Sequence, residues 1–157
     1  YALIWKYPPK NKKESYLKTT QWLKDGFKKV GVDLFFGDQP VNISNSNCFA
    51  TSTLADLVDE DKNKHIGSAQ YWKKGHLLQH GEILIEPSTQ LWKQVFNIDP
   101  PKINKKMKDK NRIIFFLKES FMKTWPHLRW SNYKLDEKDM KAVKDLSIEN
   151  LKKENHF

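Results

Sequence analysis

The stretch KHIGSAQYWKKGHLLQHGEILI, residues 64–85, constrains the fold of this chain more than any other segment. Two runs with strand composition are joined by a short turn at Lys-Lys-Gly, which predicts a β-hairpin. The two strands carry Gly67 and Gly81, although strand interiors avoid glycine unless another group has to approach the backbone closely. We therefore expect a ligand to lie against this hairpin.

Strands are predicted around the hairpin in the first half of the chain. Residues 1–7 form a short apolar strand that stops at Pro8, because proline cannot donate to a sheet. We expect its segment ALIW to pair inside the sheet, since it is too apolar to leave in water. VDLFFG, residues 32–37, is interpreted as a buried strand and TLADLVD, residues 53–59, as a further candidate strand.

Helices are predicted at four places. The first runs from Lys13 to Val30, where Gly31 follows in the position of a C-terminal cap. Residues 88–96 form a short helix, residues 108–125 a longer one with a buried stripe, and a last helix begins after the cap Asp136. The predicted stripes are Tyr16, Thr20, Leu23, Phe27 and Val30 in the first helix, and Ile114, Leu117, Phe121 and Trp125 in the longer one.

Strands followed by helices favour an α+β fold, with a mixed, largely antiparallel sheet and helices packed on it. A length of 157 residues predicts a single domain, with a sheet-rich part over 1–100 and a helical part over 101–157. No run of about 18 apolar residues is present, so a membrane span is not expected. The single cysteine, Cys48, allows no intrachain disulfide and favours a cytoplasmic location.

The net charge of +9 is concentrated towards the C-terminus. KINKKMKDKNR, residues 102–112, carries six lysines and arginines against one aspartate. Such a run is either a solvated linker or a surface that attracts an acidic partner. A basic nucleic-acid binding module is therefore one alternative function, although no helix-turn-helix, zinc finger or aromatic RNA-binding strand supports it.

Three groups of residues are candidates for chemistry. His65, His76 and His80 lie in or beside the hairpin, but their spacing matches no zinc motif and we expect no metal. Cys48 is flanked by small polar residues, which is compatible with a nucleophile facing a cavity as well as with a buried structural thiol. Lys64 enters the glycine-containing strand, where its ammonium could stabilise an acyl oxygen or a phosphate.

The hairpin resembles the Lys-x-x-Gly-Ser-Ala-Gln hairpin, with a following His-Gly, of the biotin/lipoate A/B protein ligase family. The resemblance extends from NCFATSTLADLVD to KLDEKDMKAV and so covers most of the chain. It implies the class II synthetase/biotin-lipoyl ligase catalytic fold. It also implies that Lys64 contacts an acyl carbonyl, and that Gly67, Ser68, Ala69, His80 and Gly81 wall an acyl tunnel. A side chain at Gly67 or Gly81 would then block the tunnel, although valine would suit a strand there.

The chain departs from the family at three places. The Arg-Arg-x-Gly-Gly-Gly type motif is missing, and the chain starts at Tyr1, so we expect the C-terminal part of a catalytic domain. The Asn-Asp pair that ligases place before the lysine reads Ala55-Asp56, which leaves Asp56 as a possible residue on the nucleotide side. Cys48, in contrast, resembles the cysteine of octanoyltransferases that form a thioester.

The resemblance implies transfer of an octanoyl or lipoyl group onto one lysine of a carrier domain. Cys48 would carry the acyl group as a thioester, Lys64 would stabilise the acyl oxygen, and no cofactor would be bound permanently. The alternatives are a lipoate protein ligase, with ATP and Mg as substrates, and a noncatalytic remnant. The implied partners are an acidic lipoyl domain or a glycine cleavage H-type carrier protein as acceptor, and octanoyl acyl carrier protein or free lipoate as donor.

Overall fold

A computed structural model describes residues 1–39 and 52–154 of the chain. It forms two compact units, Tyr1–Pro126 and His127–Phe157, and the first contains the hairpin. Cys48 lies outside the described residues, so its predicted role stays a prediction. In the described ranges, no helix is long and apolar enough to cross a membrane.

Five antiparallel strands form one sheet in the described part of the first unit. The strands occur in the spatial order β1-β5-β4-β3-β2, so the hairpin lies between the other strands. The sheet and the accompanying helices agree with the predicted α+β class. In chain order the strands are β1 (Ala2–Lys6), β2 (Phe35–Phe36), β3 (Leu57–Val58), β4 (Lys64–Lys73) and β5 (His76–Ile83).

The hairpin is confirmed as β4 and β5. Its two-residue turn places Lys74 at φ 49° and Gly75 at φ 75°, the left-handed conformations that match the twist of a tight hairpin. The pairing runs from Lys73 opposite His76 to Ile66 opposite Ile83. β1 pairs with β5 on the other side, which confirms that the ALIW segment pairs in the sheet. β1 is nevertheless an edge strand of the described sheet and Ile4 is 75% exposed, so the apolar character of the segment does not account for the pairing.

Helices pack against the sheet in the first unit. The first, α1, begins after Asn11, whose side chain accepts a hydrogen bond from the Glu14 N–H, and ends at Gly31 in the left-handed conformation. Its residues Leu23 and Phe27 are buried in a core shared with Ile113 of α3. The helices are α1 (Lys12–Val30), α2 (Thr89–Phe96), a 3-10 helix (Lys105–Lys108) and α3 (Lys110–Thr124).

Two strand predictions and one helix stripe need correction. The expected buried strand at 32–37 is reduced to Phe35–Phe36 at the sheet edge, with Phe35 45% exposed; the buried residues are Val32 and Leu34 just before it. The candidate strand at 53–59 is reduced to Leu57–Val58. In α3, Ile114 is 51% exposed and Ile113 is buried instead, because the face packed against α1 is made of Ile113, Leu117 and Ser120, at spacings of four and three residues.

The second unit contains α4 (Glu137–Glu154). The carboxylate of Asp136 accepts a hydrogen bond of 2.8 Å from the Asp139 N–H, which confirms Asp136 as the N-terminal cap.

Candidate functional site

A buried ion pair lies at the beginning of β4. The ammonium Nζ of Lys64 is 3.1 Å from Oδ2 of Asp56, and the two side chains are 8% and 5% exposed. Lysine and aspartate are almost never buried unless they are paired. Lys64 is therefore a buried, paired lysine in a chain that contains many lysines.

The carboxylate of Asp56 is fixed by backbone groups on both sides. Its Oδ1 accepts a hydrogen bond of 3.2 Å from the Ser68 N–H of β4. Its Oδ2 accepts bonds from the N–H of Thr53 at 2.8 Å and from the Thr53 hydroxyl at 3.1 Å. Asp56 therefore joins the turn before β3 to the glycine-containing part of β4 and presents a fixed charge to Lys64.

An irregularity in the pairing of β3 with β4 places Lys64. Leu57 lies opposite Ile66, but Val58 lies opposite Lys64, so β4 contains one extra residue, His65. Such a β-bulge re-aims the side chains next to it. Lys64, His65 and Ile66 are accordingly buried in succession, where a regular strand would alternate between its faces.

The ion pair lines a cavity of about 240 Å³ against the hairpin. The residues of β4 and β5 that the resemblance implied, together with Asp56, line this cavity, whereas the candidates His65 and His76 do not. Glu82 also lines it and had not been singled out. The lining residues are Asp56, Lys64, Gly67, Ser68, Ala69, His80, Gly81 and Glu82.

Gly81 is required by the packing of the protein itself. A Cβ atom there would lie 2.4 Å from the carbonyl oxygen of Gly67 and 2.6 Å from Cε1 of Tyr1. The expectation that valine would suit this strand position is therefore wrong. The absence of a side chain at Gly81 allows the backbone of β4 and the ring of Tyr1 to approach β5 closely, independently of any ligand in the cavity.

A buried polar network lies behind the cavity wall. The hydroxyl of Ser68 is 2.7 Å from that of Tyr1, which in turn accepts a hydrogen bond of 3.0 Å from Nε2 of Gln79. Burial raises the pKa of the Tyr1 hydroxyl, and the hydrogen bonds to Ser68 and Gln79 only partly oppose this, so the phenol stays protonated. The sequence signal for this network was a glutamine at an inward strand position, two residues after Leu77.

The three histidines do not share one environment. His76 and His80 are exposed, whereas His65 is buried and its Nε2 lies 2.7 Å from Oδ2 of Asp59. Over the described ranges, no group of three or more histidines, cysteines and carboxylates is arranged to hold a metal ion.

Comparison with known proteins identifies relatives of one kind. An octanoyltransferase LipM of Lysinibacillus sphaericus is 30% identical over 114 residues, which cover 66% of this chain and 41% of the relative. An octanoyltransferase LipM of Staphylococcus epidermidis is 31% identical over 109 residues, covering 64% of this chain and 39% of the relative. The chain thus spans about two fifths of the length of these relatives. No family model matches it.

Solved structures show the same fold. A lipoate-protein ligase A bound with ATP superimposes with a TM-score of 0.69 at 13% identity, over 92% of this chain and 58% of that one. A bi-partite lipoate protein ligase from Thermoplasma acidophilum gives a TM-score of 0.63 at 13% identity, over 92% and 57%. The first unit thus has the lipoate protein ligase fold. Together with the sequence relatives, this likeness supports the predicted resemblance to the biotin/lipoate A/B protein ligase family.

Proposed function

We propose that the protein transfers an octanoyl group onto a specific lysine of a lipoyl carrier domain. The observation that carries the proposal is the buried Lys64 ammonium at the wall of a cavity formed by the Gly-Ser-Ala and His-Gly segments. The naming of the sequence relatives as octanoyltransferases supports octanoyl as the acyl group.

In this proposal the acyl group is passed twice. The Cys48 thiolate attacks the carbonyl carbon of an octanoyl thioester, its C–S bond forms as the C–S bond to the carrier breaks, and the released carrier thiolate takes up the proton that Cys48 had lost. The acceptor amine then attacks the acyl-enzyme, forming the amide bond as the C–S bond to Cys48 breaks and the amine loses its proton. Lys64 stabilises the negative charge that develops on the acyl oxygen in both steps, as a preorganised cation in a partly dry site.

ATP-dependent lipoate ligation is the second candidate, and the solved neighbour bound with ATP supports it. In a ligase, ATP and Mg would be substrates, and Asp56 would act on the nucleotide side. The contacts of Asp56 favour the transferase, because both its oxygens already accept hydrogen bonds from Thr53 and Ser68 besides the ion pair with Lys64. A carboxylate engaged in this way has little capacity left to bind a magnesium ion.

The acyl acceptor we propose is an acidic lipoyl domain or a glycine cleavage H-type protein. One structural neighbour was studied with its E2 lipoyl domain, which supports this class of partner. The basic segment 102–112 is exposed at Lys105, Lys108 and Lys110, and a positive surface speeds the encounter with an acidic partner. Octanoyl acyl carrier protein is the donor in the transferase, and free lipoate in the ligase. The predicted cytoplasmic location stays a prediction.

The two chemistries are separated by incubating the complete protein with octanoyl acyl carrier protein and, in a parallel reaction, with free lipoate, ATP and Mg. A transferase leaves an acyl adduct on Cys48 that hydroxylamine removes, and its turnover does not require ATP. Cys48→Ser abolishes this turnover. Cys48→Ala serves as a matched variant that also lacks the thiol. If no adduct forms on Cys48, and transfer instead requires free lipoate, ATP and Mg and survives both cysteine variants, the protein is a ligase and the thioester is refuted.

The remaining alternatives predict different outcomes. A noncatalytic remnant binds the carrier domain but forms no acyl adduct with either donor. A nucleic-acid binding module binds random oligonucleotides with an affinity that falls steeply as salt increases. Binding of oligonucleotides in preference to the lipoyl domain would replace the proposed function.

A further inference from the structure

The residue after Lys64 lies in an environment that the acyl-transfer proposal does not use. The imidazole of His65 is 1% exposed, and its Nε2 is 2.7 Å from Oδ2 of Asp59. Because a carboxylate can only accept, Nε2 must carry the proton and donate it. Nδ1 has no hydrogen-bond partner among the described residues. Burying an imidazole with one nitrogen unpaired is unfavourable, so the single bond to Asp59 has to hold the ring in place.

Asp59 is itself a fixed point of the β3–β4 turn. Its Oδ1 accepts a hydrogen bond of 2.9 Å from the Asn63 N–H, and its own N–H donates to the Asn63 carbonyl at 3.0 Å. Within this turn Lys62 adopts φ 64°, a left-handed conformation that a non-glycine residue keeps only when its surroundings impose it. Asp59 therefore fixes both the turn that enters β4 and the side chain of His65.

The extra residue in β4 is His65, whose imidazole is hydrogen-bonded to Asp59. In a regular ladder without the bulge, His65 would lie opposite Val58 and Lys64 would lie opposite Asp59. Because side chains alternate along a strand, a shift of one residue turns a side chain to the other face of the sheet. Lys64 would then leave Asp56 and the cavity.

We propose that His65 is the positioning residue of Lys64, because its hydrogen bond to Asp59 selects the bulged register that aims the Lys64 ammonium into the cavity. The catalytic consequence of this inference rests on the proposed function, whereas the register itself does not. His65 is not among the residues that line the cavity, and in this role it acts through the backbone of β4.

The first test is the protonation of His65 in the unmodified chain, observed by nitrogen-detected NMR of the imidazoles. We expect a proton on Nε2 that exchanges slowly with water. An Nε2 without a proton, or rapid exchange at Nε2, would overturn the inference without any variant being made.

The second test compares substitutions that keep or remove the hydrogen bond. In His65→Gln the amide nitrogen reaches the position of Nε2, while His65→Ile suits the strand but cannot donate. We expect His65→Gln to retain the cross-strand proximity of Val58 and Lys64. We expect His65→Ile to place position 65 opposite Val58 and to increase the rate of Lys64 acetylation, measured by mass spectrometry, at least tenfold.

His76→Ile is the matched control, because it makes the same change at an exposed position of the hairpin. Should His65→Ile fail to fold, His65→Asn replaces it, since its shorter amide does not reach Asp59. Unchanged pairing and unchanged Lys64 acetylation in the variant that folds would refute the inference.

In the complete protein, kcat for acyl transfer should fall about tenfold in that variant with KM for the lipoyl domain unchanged, and His65→Gln should restore it. Absence of octanoyl transfer by the unmodified complete protein would refute the proposed function alone and leave the register result standing.

Discussion

Removing the carboxylate of Asp56 should destabilise the chain more than removing the ammonium of Lys64. Asp56→Ala leaves the Lys64 charge buried without this carboxylate and removes the acceptor used by the N–H groups of Ser68 and Thr53. Breaking a buried pair from one side costs about 3–5 kcal/mol. Lys64→Met removes the charge but fills the same space, and Asp56 keeps its three other hydrogen bonds, so the cost is about 1–2 kcal/mol.

Urea unfolding of the two single variants and the double variant measures these differences. Because the partners are in contact, the double variant should be more stable than the sum of the single effects predicts, with a coupling of about 1–3 kcal/mol. Asp56→Asn is the milder substitute if the alanine variant does not fold. A cost of Asp56→Ala below that of Lys64→Met, or strict additivity, would show that the ion pair is not the organising contact of the site.

Three further predictions concern the surroundings of the site. Gly81→Ala should lower the unfolding free energy by about 1–3 kcal/mol through overpacking against Tyr1, whereas Ala69→Val on the exposed face should be nearly neutral; thermal unfolding compares the two. Gln79→Leu should cost about 1–3 kcal/mol, because it removes the hydrogen bonds that the buried amide makes with Tyr1, Thr19 and Gln70; an unchanged urea midpoint would contradict the network. Burial alone would raise the pKa of Asp59, but hydrogen bonds from His65 and Asn63 outweigh it and hold this pKa below its ordinary value. The Asp59 carboxylate therefore stabilises the fold above its ordinary pKa and loses this effect as the pH falls through the lowered one. The stability difference from Asp59→Asn should accordingly shrink below about pH 4, and a pH-independent difference would contradict it.

The hairpin and the first helix were predictable because their signals are local. The Lys-Lys-Gly turn, the strand composition on its two sides and the Gly31 cap depend on neighbouring residues only, and the structure confirms each of them. The strands predicted at the positions of β2 and β3 were too long. For β2, the apolar residues Val32 and Leu34 are buried but lie outside the sheet. Hydrophobicity predicts burial and does not distinguish a strand from an extended loop segment.

The composition of the candidate site was predictable only through the resemblance, and its geometry was not predictable at all. Lys64 and the glycines were singled out by the motif, yet the β-bulge at His65 depends on which residue of β3 lies opposite, which no local pattern states. The role of Asp56 as the partner of Lys64 also depends on the tertiary fold. Position 81 requires a glycine because a side chain there would collide with the Gly67 carbonyl and with Tyr1, a residue 80 positions away in sequence.

The central claim is that the Lys64 ammonium stabilises the acyl oxygen during transfer to a lipoyl domain. The most direct test measures kcat for octanoyl transfer from octanoyl acyl carrier protein by the complete protein, comparing Lys64→Met with Lys93→Met at an exposed position. The account predicts a loss of about 100- to 1000-fold for Lys64→Met, the size expected for removing an oxyanion-stabilising group, with the control unchanged. Equal turnover of the two variants, in protein shown to be folded, would contradict it.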